Sequence, residues 1–297
     1  MNVGSLFSGI GGLDLGLTRA GFSHSFFCES DPYRRSVLAH HWPGVPIYED
    51  VSLVGESAGR ATADGAGAPT DGGGWEAGTG LLCGGFPCQD VSVAGRRAGL
   101  AGERSSLFFE FARIAESLRP RFVLIENVPG LLSSNGGRDF GSVLGTMADI
   151  GYGLAWRILD SRYFGVSQRR RRVFILGADA CGDPRGAAER CGQILAVGTR
   201  CERHSSTRGE ARPDVAGASL SGLGSGGPDD NDAQAGRDAR TSGVRRLTPV
   251  ECERLQALPD GWTNPDGTTA DSRRYAGIGD AVTANVSEWI GERLVKA

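Results

Sequence analysis

Cys88 is the residue best placed for covalent chemistry. It lies in the turn Gly84-Gly85-Phe86-Pro87-Cys88-Gln89, just after the apolar run 81–83. A thiol in a Gly/Pro turn at a strand end sits where ligands bind in open α/β sheets, and Pro87 stiffens the turn so that the thiol can be aimed. A buried structural cysteine is the commoner fate of a free thiol, and Cys83 suits that reading better. Glu126 follows the apolar run 122–125 and brings a carboxylate to the same edge. Alone it reads as a solvated loop residue or a helix cap; with Cys88 it suggests covalent catalysis with an acid partner. Gln168-Arg169-Arg170-Arg171-Arg172 is either a phosphate-contacting loop or a solvated charge run. The buried strand expected at 173–176 would turn Arg172 into the site and Arg169 outward to phosphate.

A glycine turn makes the fourth constellation. Gly9, Gly11 and Gly12 follow the apolar run 3–7, and Glu29 comes 20 residues after Gly9. Backbone can approach a ligand closely at such a turn, and a carboxylate at the end of the next strand can accept hydrogen bonds from a ribose diol. Dinucleotide and S-adenosylmethionine enzymes both use this arrangement, so it points to a nucleoside cofactor or to an ordinary tight turn.

These residues need elements to position them. Strands are expected at 3–7, 25–28, 81–83, 122–125 and 172–176, and helices at 13–20, 33–41 (with Pro32 at the start) and 105–118. Strands alternating with helices predict a mostly parallel sheet covered on both faces. Residues 55–80 read as a surface insertion. Residues 181–243 are poor in apolar residues and rich in Gly, Asp, Arg and Ser, and 222–243 read as disordered until a partner is met.

Composition bounds the partners. The 297 residues carry 32 basic and 35 acidic side chains, a net charge of −3, which excludes a globally basic coat for nucleic acid but not a local basic groove. All but one of the basic residues are arginines, the exception being Lys296. Hydrophobic residues make up 39%, enough for a core at this length. Seven cysteines with no CxxC pair argue against a disulfide framework and for a reducing, cytoplasmic setting. No apolar run is long enough to span a membrane, and residues 1–12 lack a signal-like pattern. Cys181, Cys191, Cys201 and His204 are too widely spaced to suggest zinc, so no metal is expected.

In this order the motifs resemble the DNA (cytosine-5)-methyltransferase family over most of the chain outside 181–243. Phe7-Ser8-Gly9-Ile10-Gly11-Gly12 is similar to its first cofactor motif, Glu29-Ser30-Asp31 and Asp50-Val51 to the second and third. Phe86-Pro87-Cys88-Gln89 resembles the catalytic motif, Glu126-Asn127-Val128 the acid-bearing one, and Gln168, Arg170 and Arg172 fit Gln-x-Arg-x-Arg. Residues 246–252 and Gly279-Asp280-Ala281-Val282 resemble the last two motifs.

The resemblance implies a Rossmann-like S-adenosylmethionine-dependent methyltransferase sheet with a smaller target-recognition domain. It implies a catalytic domain at 1–179 completed by a helix from about 277 to 297, a recognition region at 180–244, a connecting hinge at 245–276, and a DNA cleft between the parts. The implied reaction is methyl transfer to carbon-5 of a flipped cytosine in a specific duplex DNA sequence. Cys88 would add to carbon-6, Glu126 would hold or protonate ring nitrogen-3, and Arg170 and Arg172 would steady the base. Phe7 would pack near the adenine, Glu29 would bind the ribose, Asp50 with Val51 the adenine end, and Pro87, Leu107 and Val282 the methionine side. Asp280 replaces the family's usual Asn and adds negative charge near the cofactor. Residues 89–104, with Gln89, Ser92, Arg96 and Arg97, would close over the base, while Gln168, Arg169, Arg237 and Arg240 would meet DNA. A monomer is the default expectation, and a cognate restriction endonuclease is a candidate partner. Two other readings compete: a tRNA cytosine-5 methyltransferase, and a non-catalytic regulator that binds DNA or cofactor on the same fold.

Overall fold

The computed structural model describes residues 1–55, 79–86, 107–197 and 245–297. Strands β1 (Asn2–Leu6), β2 (Ser23–Cys28), β3 (Ile47–Tyr48), β4 (Thr79–Gly84), β5 (Phe122–Asn127), β6 (Tyr152–Asp160) and β7 (Arg171–Asp179) form one sheet in the order β3-β2-β1-β4-β5-β7-β6. Every pairing is parallel except those of β7, which runs antiparallel to both β5 and β6. The carboxyl ends of β1 to β6 and the amino end of β7 therefore share one edge. Every described candidate residue on a strand end lies there.

Period-two alternation splits the apolar side chains between two layers. Val3, Leu81, Phe122, Leu124, Phe174 and Leu176 face helices α1 (Gly12–Arg19), α5 (Pro184–Ile194) and α8 (Ala284–Leu294). Leu6, Leu82, Val123, Ile125 and Ile175 face α3 (Leu107–Leu118) and α4 (Arg138–Asp149). Helix α3 buries Phe108, Phe111, Ala112, Ile114 and Ala115 on one stripe. Truncating either phenylalanine to alanine should cost about 3–5 kcal/mol. Helix α2 (Pro32–His41) starts where expected: Pro32 takes the first turn and the Asp31 side chain accepts from the Arg34 N–H.

Three boundaries differ from the sequence reading. Helix α5 buries Ala187, Cys191 and Ile194 against the sheet, so 180–197 belongs with the strands and not with the recognition region. By compactness the chain divides into Met1–Val197 with Thr248–Ala297, and Gly198–Leu247. Residues 248–276, expected as a hinge, instead carry α6 (Pro249–Leu255) and most of α7 (Asp271–Asp280), and bury Leu258 and Trp262 beside Ile10. The helix expected from 277 is two helices, α7 and α8, interrupted at 281–283.

Candidate active site

The nucleoside end is built from β1, β2 and α1. After Leu6 the chain turns through Phe7 and Gly9, both left-handed at φ 54° and 58°, and Gly11 at φ 78° starts α1. For a bulky residue such as Phe7 this backbone is strained, a state that persists only where neighbours enforce it. Here the Ser8 N–H donates to the Cys28 carbonyl at 3.1 Å and its hydroxyl to the Ser5 carbonyl at 3.1 Å. Glu29 is buried, and both its oxygens hold backbone: Oε2 accepts from the Gly9 N–H at 2.7 Å and Oε1 from the Asp31 N–H at 2.9 Å. Each oxygen keeps a second lone pair for a ribose hydroxyl. A side chain at Gly9 would meet nothing within 4 Å, whereas one at Gly12 would lie 2.5 Å from the Val282 carbonyl. Gly9 thus leaves room for a ligand, while Gly12, expected to do the same, makes room for the chain itself.

Asp50, at the end of β3, caps the turn Val51–Leu53 by accepting from the Ser52 N–H at 2.9 Å, and Val51 is buried below it. A polar rim of Glu29 and Asp50 with Phe7 beside it matches a nucleoside. Asp280 is exposed and ion-paired with Arg34, so its added charge is already compensated. Val282 is buried behind the glycine turn, and Leu107 packs in the same apolar layer as Phe86.

The second half of the site lies where β4, β5 and β7 end. Glu126 pairs in register with Phe174, and Arg172, two residues earlier on the same face of β7, reaches it diagonally. Arg172 Nε stands 2.9 Å from Glu126 Oε1, too oblique for a directed hydrogen bond, so that oxygen has a counter-charge without an aimed donor. Burial pushes the Glu126 carboxyl above the ordinary range, against the pull of Arg172 and Arg170. A side chain at Gly85 would come within 2.9 Å of Glu126 Oε2, so only glycine leaves the carboxyl its space. Asn127 donates from Nδ2 to the Phe86 carbonyl at 2.9 Å and accepts the Val128 N–H at 2.8 Å. It thereby fixes the chain just before Pro87 and Cys88.

The loop between β6 and β7 overhangs the same edge. Gln168 Oε1 and Arg170 Nε and Nη2 are buried without hydrogen-bond partners among the described residues. Burial, reinforced by Arg172, lowers Arg170 to about 10 despite Glu126 and Asp280, and it stays charged at neutral pH. Arg169 is exposed, 3.8 Å from Asp160. The orphaned Arg170 donors lie within electrostatic reach of Glu126 and, like the Gln168 acceptor on the same loop, suit an incoming polar ligand. The cavity lined by Arg119, Phe122, Asp179 and Cys181 lies at the opposite edge of the sheet and takes no part in this site.

Cys88, Pro87, Gln89, Ser92, Arg96, Arg97, Arg237 and Arg240 lie outside the described residues, as do the whole expected closing loop 89–104, Cys201, His204 and residues 222–243. Three supports escaped the sequence reading. They are Gly85 and Asn127, whose motifs were legible but whose roles were not, and Trp262, whose indole N–H donates to the Ile10 carbonyl at 2.8 Å. Trp262 also stacks on His41 with ring centroids 3.4 Å apart.

The sequence profile of the family described as C-5 cytosine-specific DNA methylase matches residues 1–185 and 200–296. The chain belongs to this family. It is 33% identical over 319 aligned residues to the type II methyltransferase M2.BsuMI of Bacillus subtilis, covering 99% of this chain and 75% of the relative. Its fold is similar to that of a prophage-encoded E. coli chain described as a DNA modification methyltransferase, with a TM-score of 0.62, 19% identity, and 100% and 99% of the two chains covered. It is also similar to the S. pombe Dnmt2 methyltransferase, with a TM-score of 0.60, 17% identity, and 100% and 99% covered. At those identities the likeness shows the fold, and the family match carries the activity. This C-5 cytosine methyltransferase acts on DNA with S-adenosylmethionine as methyl donor, and the Glu29 and Asp50 rim fits the donor's nucleoside end. Among the described residues no helix is long and apolar enough to cross a membrane.

Proposed function

We propose that Cys88 is the nucleophile of this methyltransferase, with Glu126, Arg170 and Arg172 as its partners at the target base. The observation that carries the reading is the pair of buried Glu126 and half-buried Arg172 at the edge where β4 delivers the chain toward Cys88. Two residues of chain, at most about 7 Å, separate Cys88 from Phe86, whose carbonyl Asn127 holds.

Carbon-5 of cytosine is a poor nucleophile. Addition of the Cys88 thiolate to carbon-6 forms a C–S bond and pushes electron density to carbon-5, with Glu126 placing its proton on ring nitrogen-3. The carboxyl's raised pKa keeps that proton available, and Arg172 opposes the charge developing on the ring. S-adenosylmethionine supplies the electrophilic methyl group when bound. Glu126 then takes back the nitrogen-3 proton, and a solvent water or hydroxide accepts the carbon-5 proton, so that the C–H electrons re-form the ring double bond and the C–S bond breaks to expel the Cys88 thiolate. The target base must leave the duplex first, at about a few kcal/mol. Glu29, Gly9, Asp50 and Phe7 hold the nucleoside end of the donor, with Pro87, Leu107 and Val282 on the methionine side.

Residues 198–247 take the recognition role, with Arg237 and Arg240 on phosphate. The type II name of the Bacillus subtilis relative supports a restriction-modification setting with a cognate endonuclease, and a monomer in the cytoplasm is the simplest form of such an enzyme. The test is tritium transfer from labelled S-adenosylmethionine to unmethylated duplex DNA, with Cys88→Ala and matched tRNA run beside it. Label on DNA from the wild type only supports the assignment. Label from Cys88→Ala would overturn the nucleophile, and label on tRNA alone would favour the RNA branch.

A further inference from the structure

The loop that carries Gln168 to Arg172 is held rigidly from inside. The Ser161 N–H donates to the Arg170 carbonyl at 3.0 Å, the Ser161 hydroxyl to the Gln168 carbonyl at 2.6 Å, and the Arg170 N–H to Ser161 Oγ at 3.1 Å. From α8, Asn285 Nδ2 donates to the Phe164 carbonyl at 2.7 Å, and Trp289 meets the Phe164 ring edge-on.

What this frame displays is unusual. Tyr163 is 65% exposed, with the Arg162 guanidinium 4.5 Å above its ring and bonded to its hydroxyl. Asp160 Oδ2 sets Arg162 and Arg169 side by side, at 3.3 and 3.8 Å. Residues 160–172 hold five arginines against one aspartate. A solvated charge run needs neither a rigid frame nor an exposed ring. Since the Tyr163 oxygen accepts from Arg162, its own hydrogen is left to donate to an acceptor from outside.

We propose that Arg162, Tyr163 and Arg169 form a built seat for the phosphodiester backbone of duplex DNA, on the same sheet edge as Glu126. Two guanidinia and one hydroxyl supply donors in fixed positions, and fixing them beforehand lowers the ordering cost of binding. Asp160 is the positioning residue that keeps the two like charges together. The proposal rests on the DNA-methylating function and adds the surface that would hold the strand.

The test uses the full chain, a fluorescently labelled duplex sheared from unmethylated genomic DNA, and a series of KCl concentrations. Arg162→Ala/Tyr163→Ala should weaken duplex binding about tenfold and make the slope of log K against log[KCl] shallower by about 0.9, the share of one phosphate contact. Arg162→Lys should restore the wild-type slope. S-adenosylmethionine affinity, measured by calorimetry, should be unchanged in both, which reports an intact fold. Unchanged affinity and slope in the double variant would overturn the seat, as would equal weakening by Arg162→Lys with an unaltered slope. Should the double variant lose donor binding as well, Tyr163→Phe decides alone, with a duplex affinity equal to wild type counting against the seat. Wild type that binds the duplex but transfers no label would refute the methylation reading without touching this one.

Discussion

Glu126 and Arg172 face each other diagonally across the β5–β7 pairing, their charged atoms 2.9 Å apart at the edge where β4 also ends. The pair sets how protons move at the base. Burial raises the Glu126 carboxyl, so it stays protonated to a higher pH than an ordinary glutamate and loses its proton as pH rises through that raised value. The turnover profile should therefore fall on its alkaline side. Glu126→Gln should lower kcat about a hundredfold or more and abolish that alkaline limb, leaving donor affinity near wild type. Single-turnover rates across pH check this; a retained limb would assign it to another group.

Gly85 has one purpose that its backbone alone does not reveal. A methyl group there would press on Glu126 Oε2 at 2.9 Å and on the Glu126 carbonyl at 3.3 Å. Gly85→Ala should cost about 1–3 kcal/mol of stability as overpacking and reduce kcat more than it changes KM for DNA. Thermal unfolding and steady-state kinetics measure the two effects separately.

Gly9 and Gly12 should separate binding from folding. Gly9 has open space around it but a left-handed backbone, so Gly9→Ala costs about 1–2 kcal/mol in strain and fills room meant for the donor. Gly12→Ala drives a methyl group into the Val282 carbonyl at 2.5 Å. The first variant should lose more donor affinity than stability, and the second more stability than affinity. Calorimetric titration with S-adenosylmethionine, beside melting curves, would show the opposite order if both glycines simply served the ligand.

Asp280 departs from the family's usual asparagine, yet Arg34 already neutralises it. The Asp280 side chain is 65% exposed, and pairs of this kind contribute about 0–1 kcal/mol. Asp280→Asn should shift stability by less than about 0.5 kcal/mol and leave donor affinity close to wild type. Arg34→Ala should weaken donor binding, because it leaves the carboxylate uncompensated. Equal behaviour of the two variants in calorimetry would show that this charge does not reach the donor.

The parts of the site that were legible in sequence share one property. Gly9, Glu29 and Glu126 each follow a short, mostly apolar run and Arg172 precedes one, so a strand end marks them. Strand β6 gave no such mark. It lies at one edge of the sheet, opposite β3, and Trp156 and Arg157 in its middle are exposed. Helix α5 reads in sequence as part of 181–243 because that stretch is poor in apolar residues; the three of its eleven residues that are buried suffice to seat it on the sheet. Trp262 was invisible for a different reason: its value lies in a carbonyl 252 positions away, which no local pattern encodes. The crowding at Gly85 likewise appears only once β4 and β5 are side by side.

That distant bond from Trp262 to Ile10 has a consequence for how the protein comes into being. The glycine turn leaves the ribosome well before the parts that brace it: the indole of Trp262 lies 252 positions further on, and the Val282 carbonyl and the helix packed on α1 also come from beyond residue 260. Contacts of such sequence separation form late and slowly. A nascent chain should therefore hold β1 to β7 with the donor seat still loose until the residues beyond 260 emerge. Affinity for S-adenosylmethionine should appear abruptly, once Trp262, Val282 and the helix Ala284–Leu294 have joined the glycine turn.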